Sequence, residues 1–178
     1  MDLNSLNKTR HDLLAEIENE LQENLIAARL LEPGQEGDPD ILTVIFDELG
    51  SGEEEAFGEF CFLPTVSEEA DIQYFSSIIT LSDDVSPEYL TVLYEAMSYI
   101  NFKLPCGSFQ IDDSHTFLTY KLTAPLPIEL SGEALKVQVD MLMGNTVAVT
   151  SGYFDLILSL SRGEASIDNV LEILGVEP

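Results

Sequence analysis

Residues 99–124, Y-I-N-F-K-L-P-C-G-S-F-Q-I-D-D-S-H-T-F-L-T-Y-K-L-T-A, decide the fold of this chain. A helix is predicted to end here, a Pro-Cys-Gly bend follows, and two strands fold back across an Asp-Asp-Ser-His turn. In the first strand Phe109 and Ile111 share one face, and in the second Leu118, Tyr120 and Leu122 share one face. Such period-two alternation is typical of half-buried strands, so the stretch predicts a β-hairpin.

Upstream of the hairpin, the pattern predicts one helix, a linker and three strands. Apolar residues recur every fourth position through residues 9–31, which indicates an amphipathic helix, and Pro33 and Gly34 open a linker over residues 32–40. Strands are predicted at 41–46, 56–63 and 72–81. The first of these is apolar on both faces, and such strands need cover on both sides, from helices or from a second subunit.

The remaining elements are helices that begin at recognisable caps. Ser86-Pro87-Glu88 starts the helix that leads into the hairpin. Pro125 and Pro127 are predicted to stop the fifth strand, and Ser131 caps the longest helix, which runs to about residue 161. A short helix over 166–174 closes the chain, with Gly175 after its last residue.

This order predicts a single α+β domain over residues 1–178. Its element order is α-βββ-α-ββ-α plus a short C-terminal helix, and its sheet is five-stranded and largely antiparallel because short turns link the strands. Helices pack on the sheet, with the 107–124 hairpin beside the 41–81 meander. Since the apolar surface exceeds what three helices obviously cover, we also expect a homodimer.

The charge is the outlying feature of the composition. The chain has 33 acidic and 7 basic residues, a net charge of −26 and a pI of about 4.1. Phosphates of nucleic acids and anionic membrane surfaces repel such a protein, so we expect no nucleic acid and no membrane as partners. Basic or apolar protein surfaces are the expected partners. The alternative is that the acidic residues serve solubility alone.

Two further features bear on location. Cys61 and Cys106 are too few for a disulfide framework, and the first ten residues have no apolar core of a signal peptide, so a reducing cytoplasm is expected. Residues 141–161 carry one charge, Asp155. Their Gly, Ser, Thr and Asn content and the scarcity of flanking basic residues favour a buried core helix over a membrane span.

Several polar clusters in the sequence are candidates for functional sites. The Asp112–His115 turn and the acidic turn with Asp47, Glu48 and residues 53–55 resemble metal or acid–base clusters, but turn chemistry and solvation explain both. Cys106 is a nucleophile candidate beside His115, yet nothing in the sequence orients the pair. Gly50-Ser51-Gly52 lacks the lysine of a phosphate loop. We therefore assign no catalytic, cofactor-binding or metal-binding residue and expect no cofactor.

The element order and one motif resemble a known group. Asn101, Gly107, Phe109, Asp112 and Tyr120, followed by the Ser-Gly-Glu helix start at residues 131–133, are similar to the YbjN-like family, described as bacterial sensory transduction regulators. That resemblance implies a fold like that of type III secretion chaperones, which are small acidic dimers. It implies no catalytic residues.

The functional expectation is therefore a non-enzymatic protein-binding module, chaperone-like or a regulatory adaptor. The alternative is a small metal-dependent or hydrolytic enzyme that uses the acidic turn residues. The absence of a nucleophile–base pair and of metal-ligand spacing in the sequence favours the binding module.

Overall fold

Helices and strands were located in a computed structural model that describes residues 2–35, 38–51, 54–65 and 69–175. In these residues there are four α-helices and six strands, and a 3₁₀ turn at Pro87–Tyr89 precedes the second helix. In chain order they are α1 (Leu3–Glu23), β1 (Ala27–Leu31), β2 (Ile41–Phe46), β3 (Ala56–Phe62), β4 (Ile72–Ser82), α2 (Leu90–Lys103), β5 (Ser108–Ile111), β6 (Leu118–Pro127), α3 (Gly132–Ser161) and α4 (Ile167–Leu174).

The strands form one antiparallel sheet in the order β1-β2-β3-β4-β6-β5. The α+β class is confirmed, and so is the position of the predicted hairpin, since β6 lies beside β4. Within the hairpin Phe109 pairs with Tyr120 and Ile111 with Leu118. The predicted number of strands, five, was wrong, because β1 adds a sixth.

The extra strand comes from the end of the segment predicted as a helix over residues 9–31. Helix α1 already ends at Glu23, where the Leu25 N–H donates to the Gln22 carbonyl and the Ile26 N–H to the Leu21 carbonyl. These two bonds form a Schellman motif, which closes a helix and redirects the chain. Leu25 occupies its left-handed position with φ 64°. The chain then returns as β1 and pairs with β2, Leu31 opposite Ile41.

The strained leucine gives a first prediction. A left-handed conformation costs an L-residue about 1–2 kcal/mol, and Leu25 is 95% exposed, so it has little packing to lose. After allowing for the greater unfolded-state freedom of glycine, Leu25→Gly should raise the free energy of unfolding by about 0.5–1 kcal/mol in urea titrations. Leu25→Ala keeps the Cβ atom and is the matched control. Equal stability of the two variants would contradict the strain argument.

Of the two prolines predicted to stop strand β6, Pro127 is its last residue, but Pro125 lies inside it. Successive N–H groups of a strand point to opposite sides, and the Ile128 N–H donates to Asp71. The two prolines therefore face the side away from β4. Strand β5 pairs only with residues 118–121 of β6, so that side needs no donor where the prolines lie.

The three helices predicted after residue 86 are confirmed. Helix α2 follows Ser86 and Pro87, α3 is the longest helix, and α4 begins after Ser166 and ends at Gly175 with φ 62°. In the part of the chain that the structure describes, no helix is long and apolar enough to cross a membrane.

The contacts of the chain divide it into two compact units. Unit 1 comprises Met1–Phe46, Phe57–Ile78 and Thr123–Asn145, and unit 2 comprises Asp47–Ala56, Ile79–Leu122 and Thr146–Pro178. In unit 1, one face of the strands packs against α1 and the first part of α3. The buried residues of this core are Leu13, Leu14, Ile17, Leu42, Val44, Phe60, Phe62, Phe75, Leu126, Leu135 and Val139.

Unit 2 has buried residues of its own, on α2, the hairpin, the second part of α3 and α4. Its largest fully buried side chains include those of Tyr120, Phe154, Ile100 and Leu93. In this unit Phe109 contacts the rings of both Tyr120 and Tyr153, with centroids 5.0 and 5.9 Å away.

Candidate functional site

Five residues of the motif singled out in the sequence, Asn101, Gly107, Phe109, Asp112 and Tyr120, lie in unit 2, where they stabilise the hairpin, whereas the helix start at residues 131–133 belongs to unit 1. The Asn101 side chain donates to the Phe109 carbonyl over 2.9 Å and accepts from the Phe109 N–H over 2.8 Å. The Tyr120 hydroxyl donates to the Cys106 carbonyl over 2.8 Å, and Gly107 lies directly against that ring. Burial raises the pKa of Tyr120 to about 12, so the phenol stays protonated. These contacts stabilise the bend and the edge strand of the hairpin.

The Asp112–His115 turn is organised in the same way. The Asp112 carboxylate accepts from the Ser114 hydroxyl and from the N–H groups of Thr116 and Phe117 at 2.9 and 2.7 Å. These bonds hold the pKa of Asp112 well below its usual range, because they stabilise the ionised carboxylate. His115 adopts φ 61° and meets the Tyr94 ring edge-on. The Asp112 carboxylate thus stabilises the turn that the sequence predicted.

The acidic turn after β2 is bound to α3 within unit 2. Asp155, the single charge in residues 141–161, accepts from the Ser51 N–H through both oxygens at 3.0 and 3.1 Å. Glu54 forms an ion pair with Arg162. Gly52 and Glu53 lie outside the described residues. Among the residues that are described, no group of three or more His, Cys, Asp or Glu side chains is arranged to hold a metal ion.

A different feature of unit 1 is an apolar sheet face that faces solvent. Alternation along the strands puts the core residues on one side, so the residues between them point to the other. We call this second side the open face. Five of its large apolar side chains are between 40% and 48% exposed: Leu31, Ile45, Phe57, Ile72 and Tyr74.

The open face also differs from the rest of the chain in charge. At the outward positions of β1, β2, β3 and the first half of β4, the charged residues are Arg29 and Glu59. One positive and one negative charge leave the face formally neutral in a chain of net charge −26. An apolar surface without net charge on a highly charged protein is a feature of binding sites.

A second feature of unit 1 is a cleft of about 610 Å³ with a buried arginine in its wall. It lies between the first turns of α1, the connection from β1 to β2 and the segment after β3. Its lining residues are Leu3, Asn4, Asn7, Arg10, Leu14, Pro33, Gln35, Asp38, Pro39, Asp40, Phe62, Pro64 and Thr65. We call it the Arg10 cleft.

Neutral groups hold the guanidinium of Arg10 in place. It donates through Nε to Gln73 Oε1 at 3.0 Å, through Nη2 to Thr65 Oγ1 at 2.7 Å and through Nη1 to Asn7 Oδ1 at 3.4 Å. It also lies over the Phe62 ring, 5.3 Å from the centroid. Arg10 is 5% exposed, and burial lowers its pKa from the ordinary value. An arginine remains charged in such a site, so the cleft contains a positive charge.

The sequence did not single out Arg10, although it contained a usable signal. Arg10, Leu13, Leu14 and Ile17 follow helical spacing, so the arginine falls on the buried stripe of α1. The open face, in contrast, was predicted in part from the sequence. The strand over 41–46 was predicted to need cover on both faces, and within unit 1 helices cover one of them.

No protein-family model matches the chain, and no curated protein matches it. Among solved structures, it is similar to the crystal structure of an uncharacterized protein from Methanothermobacter thermautotrophicus, with 14% identity and a TM-score of 0.44. That alignment covers 83% of this chain and 97% of the other.

Proposed function

We propose that this protein is a non-enzymatic binding module of the cytoplasm, chaperone-like or a regulatory adaptor, that holds a partner polypeptide on its open face. The observation that carries the proposal is the exposure of Ile45, Phe57 and Tyr74 on a sheet whose other face is buried. Water contact with such side chains is unfavourable by about 25 cal/mol per Å² of apolar area, and a partner removes that contact.

The charge distribution defines the kind of partner. The open face is formally neutral, so its centre suits an apolar patch, while the chain around it has a net charge of −26. A negative field attracts a positively charged protein and speeds the encounter. We therefore commit to a partner with an apolar patch bordered by Lys and Arg.

A second copy of this chain is the competing occupant of the same face, as expected for a homodimer. Two copies would also bury the open face, but each brings a charge of −26. Their repulsion is screened over about 8 Å at physiological ionic strength, so it weakens a dimer most at low salt. Light scattering at about 0.15 M salt distinguishes the two occupants. A mass of 19.7 kDa leaves the face for another protein, and twice that mass would contradict the proposal.

The central prediction concerns two open-face side chains. We expect the double variant Ile45→Ser/Tyr74→Ser to lose at least about 100-fold in affinity for the partner, because central apolar contacts dominate interface energies. Partners retained by the immobilised wild type are identified by mass spectrometry, purified and titrated by calorimetry. Tyr94→Ser on α2 is the matched control, since Tyr94 is 45% exposed and Tyr74 is 48% exposed.

The retained protein should be basic, should bind Tyr94→Ser as it binds wild type, and should bind more weakly as salt rises. Equal binding by the double variant would place the interaction elsewhere on the chain and overturn the proposal. If the retained protein were acidic and its binding did not change with salt, the proposed positive charge of the partner would be wrong.

A further inference from the structure

The guanidinium of Arg10 has more N–H donors than its hydrogen bonds to the surrounding side chains use. A guanidinium has five N–H donors, and three are used by Gln73, Thr65 and Asn7. Within the described ranges of the chain, no carboxylate forms an ion pair with Arg10. One N–H on each terminal nitrogen is therefore left for another acceptor. Two such donors match the two oxygens of a carboxylate.

The absence of a carboxylate partner among these residues is notable in so acidic a chain. Burying a charge without an opposite charge is costly, and only 5% of Arg10 is exposed to solvent. A ligand carboxylate in the cleft would offset this cost. The arrangement is thus that of a binding group fixed in advance by Gln73 and Thr65.

A simple anion does not suit the cleft as a whole. Asp38 and Asp40 also line it, and the Asp40 carboxylate lies 3.3 Å from His11 Nδ1. With Arg10 they leave the lining negative, and the chain adds its charge of −26. A ligand that carries an ammonium group beside its carboxylate is neutral overall, which avoids this repulsion. Its ammonium group suits Asp38 or Asp40.

The rest of the lining is suited to an apolar body. Leu14 and Phe62 form part of the wall, and Pro33, Pro39 and Pro64 add apolar surface around it. The volume of about 610 Å³ lies within the range typical of small-molecule sites. It accommodates a metabolite with a branched or aromatic side chain.

We propose that the Arg10 cleft binds a free α-amino acid with an apolar side chain. The carboxylate of the ligand bonds to the two remaining N–H groups of Arg10, its ammonium group pairs with Asp38 or Asp40, and its side chain packs against Leu14 and Phe62. This site is independent of the open face, so either assignment can fail without the other.

Calorimetry with three matched compounds tests the ligand chemistry on the wild-type chain. The compounds are L-leucine, 4-methylpentanoate, which lacks its amine, and 3-methylbutylamine, which lacks its carboxylate; L-phenylalanine, 3-phenylpropanoate and 2-phenylethylamine form a second set. We expect at least one of the two amino acids to bind, and each of its truncated analogues to bind about 10- to 100-fold more weakly. No binding of either amino acid at about 10 mM, or equal binding of an analogue, would overturn the proposal.

Two variants test the residues. Arg10→Met should weaken amino acid binding by about 10- to 100-fold, and Lys8→Met, which removes an exposed charge of α1 outside the cleft lining, should leave it unchanged. Asp38→Asn/Asp40→Asn retains Arg10 and should weaken the amino acid while leaving its deaminated analogue unaffected or bound more tightly. If Arg10→Met does not fold, the aspartate pair and the analogue series decide. Unchanged binding of the amino acid to the aspartate variant contradicts the proposal.

Discussion

Gly107→Ala should lower the free energy of unfolding by about 3 kcal/mol, more than the same change at Gly175. Gly107 has φ 69°, which already disfavours an L-residue. A Cβ atom there would lie 2.2 Å from the Tyr120 hydroxyl oxygen and 3.0 Å from the Lys121 carbonyl oxygen. Because Tyr120 is fully buried, its ring has no free space to move into. Urea denaturation followed by circular dichroism measures the loss.

Gly175→Ala is the matched control for Gly107→Ala. Gly175 has φ 62°, and a Cβ atom there would meet no atom within 4 Å. The control therefore isolates the conformational cost, about 1 kcal/mol, from the cost of the clash. If both variants lose the same stability, Tyr120 does not constrain Gly107, and the hairpin tolerates a shift at the bend.

The second large effect is expected for Asn101→Ala, which should lower the free energy of unfolding by about 2–3 kcal/mol. Strand β5 is the last in the sheet order, so the outward N–H and C=O of Phe109 have no neighbouring strand. Asn101 supplies both partners at once, and its removal leaves two half-buried backbone groups unpaired. The substitution also exposes a strand edge that can pair with other chains.

Asn19→Ala on α1 is the control for this change, since Asn19 is exposed and its side chain bonds within its own helix. We expect it to be neutral or slightly stabilising, because alanine is the better helix former. Hydrogen exchange adds a local measurement: the Phe109 amide should exchange faster in Asn101→Ala than in wild type. Unchanged exchange at this amide would mean that the side-chain bonds do not protect the strand edge.

These two variants concern the residues on which the family resemblance depends. Asn101, Gly107 and Tyr120 are explained by the edge and bend of one hairpin. Their contacts stabilise the hairpin and indicate no chemistry. Our functional proposals therefore depend on other residues, those of the open face and of the Arg10 cleft.

The sequence by itself determined what local chemistry controls. Alternation over residues 108–122 specified the hairpin, Ser86-Pro87 and Ser166 marked helix starts, and Asp112 specified a turn that its carboxylate does organise. Each of these signals acts within a few residues, through backbone geometry and side-chain bonds to nearby N–H groups. That is why they could be identified without coordinates.

Only the tertiary structure decided the features that depend on distant neighbours. Residues 27–31 continue the apolar spacing of a helix, yet they form a strand because a Schellman motif ends α1 and β2 offers a partner. Arg10 gains its role from Thr65 and Gln73, which are far away in the chain. Burial and hydrogen-bonding partners depend on which segments meet in space. Local periodicity contains no information about that, so strand pairing and the buried guanidinium emerge only with the packed fold.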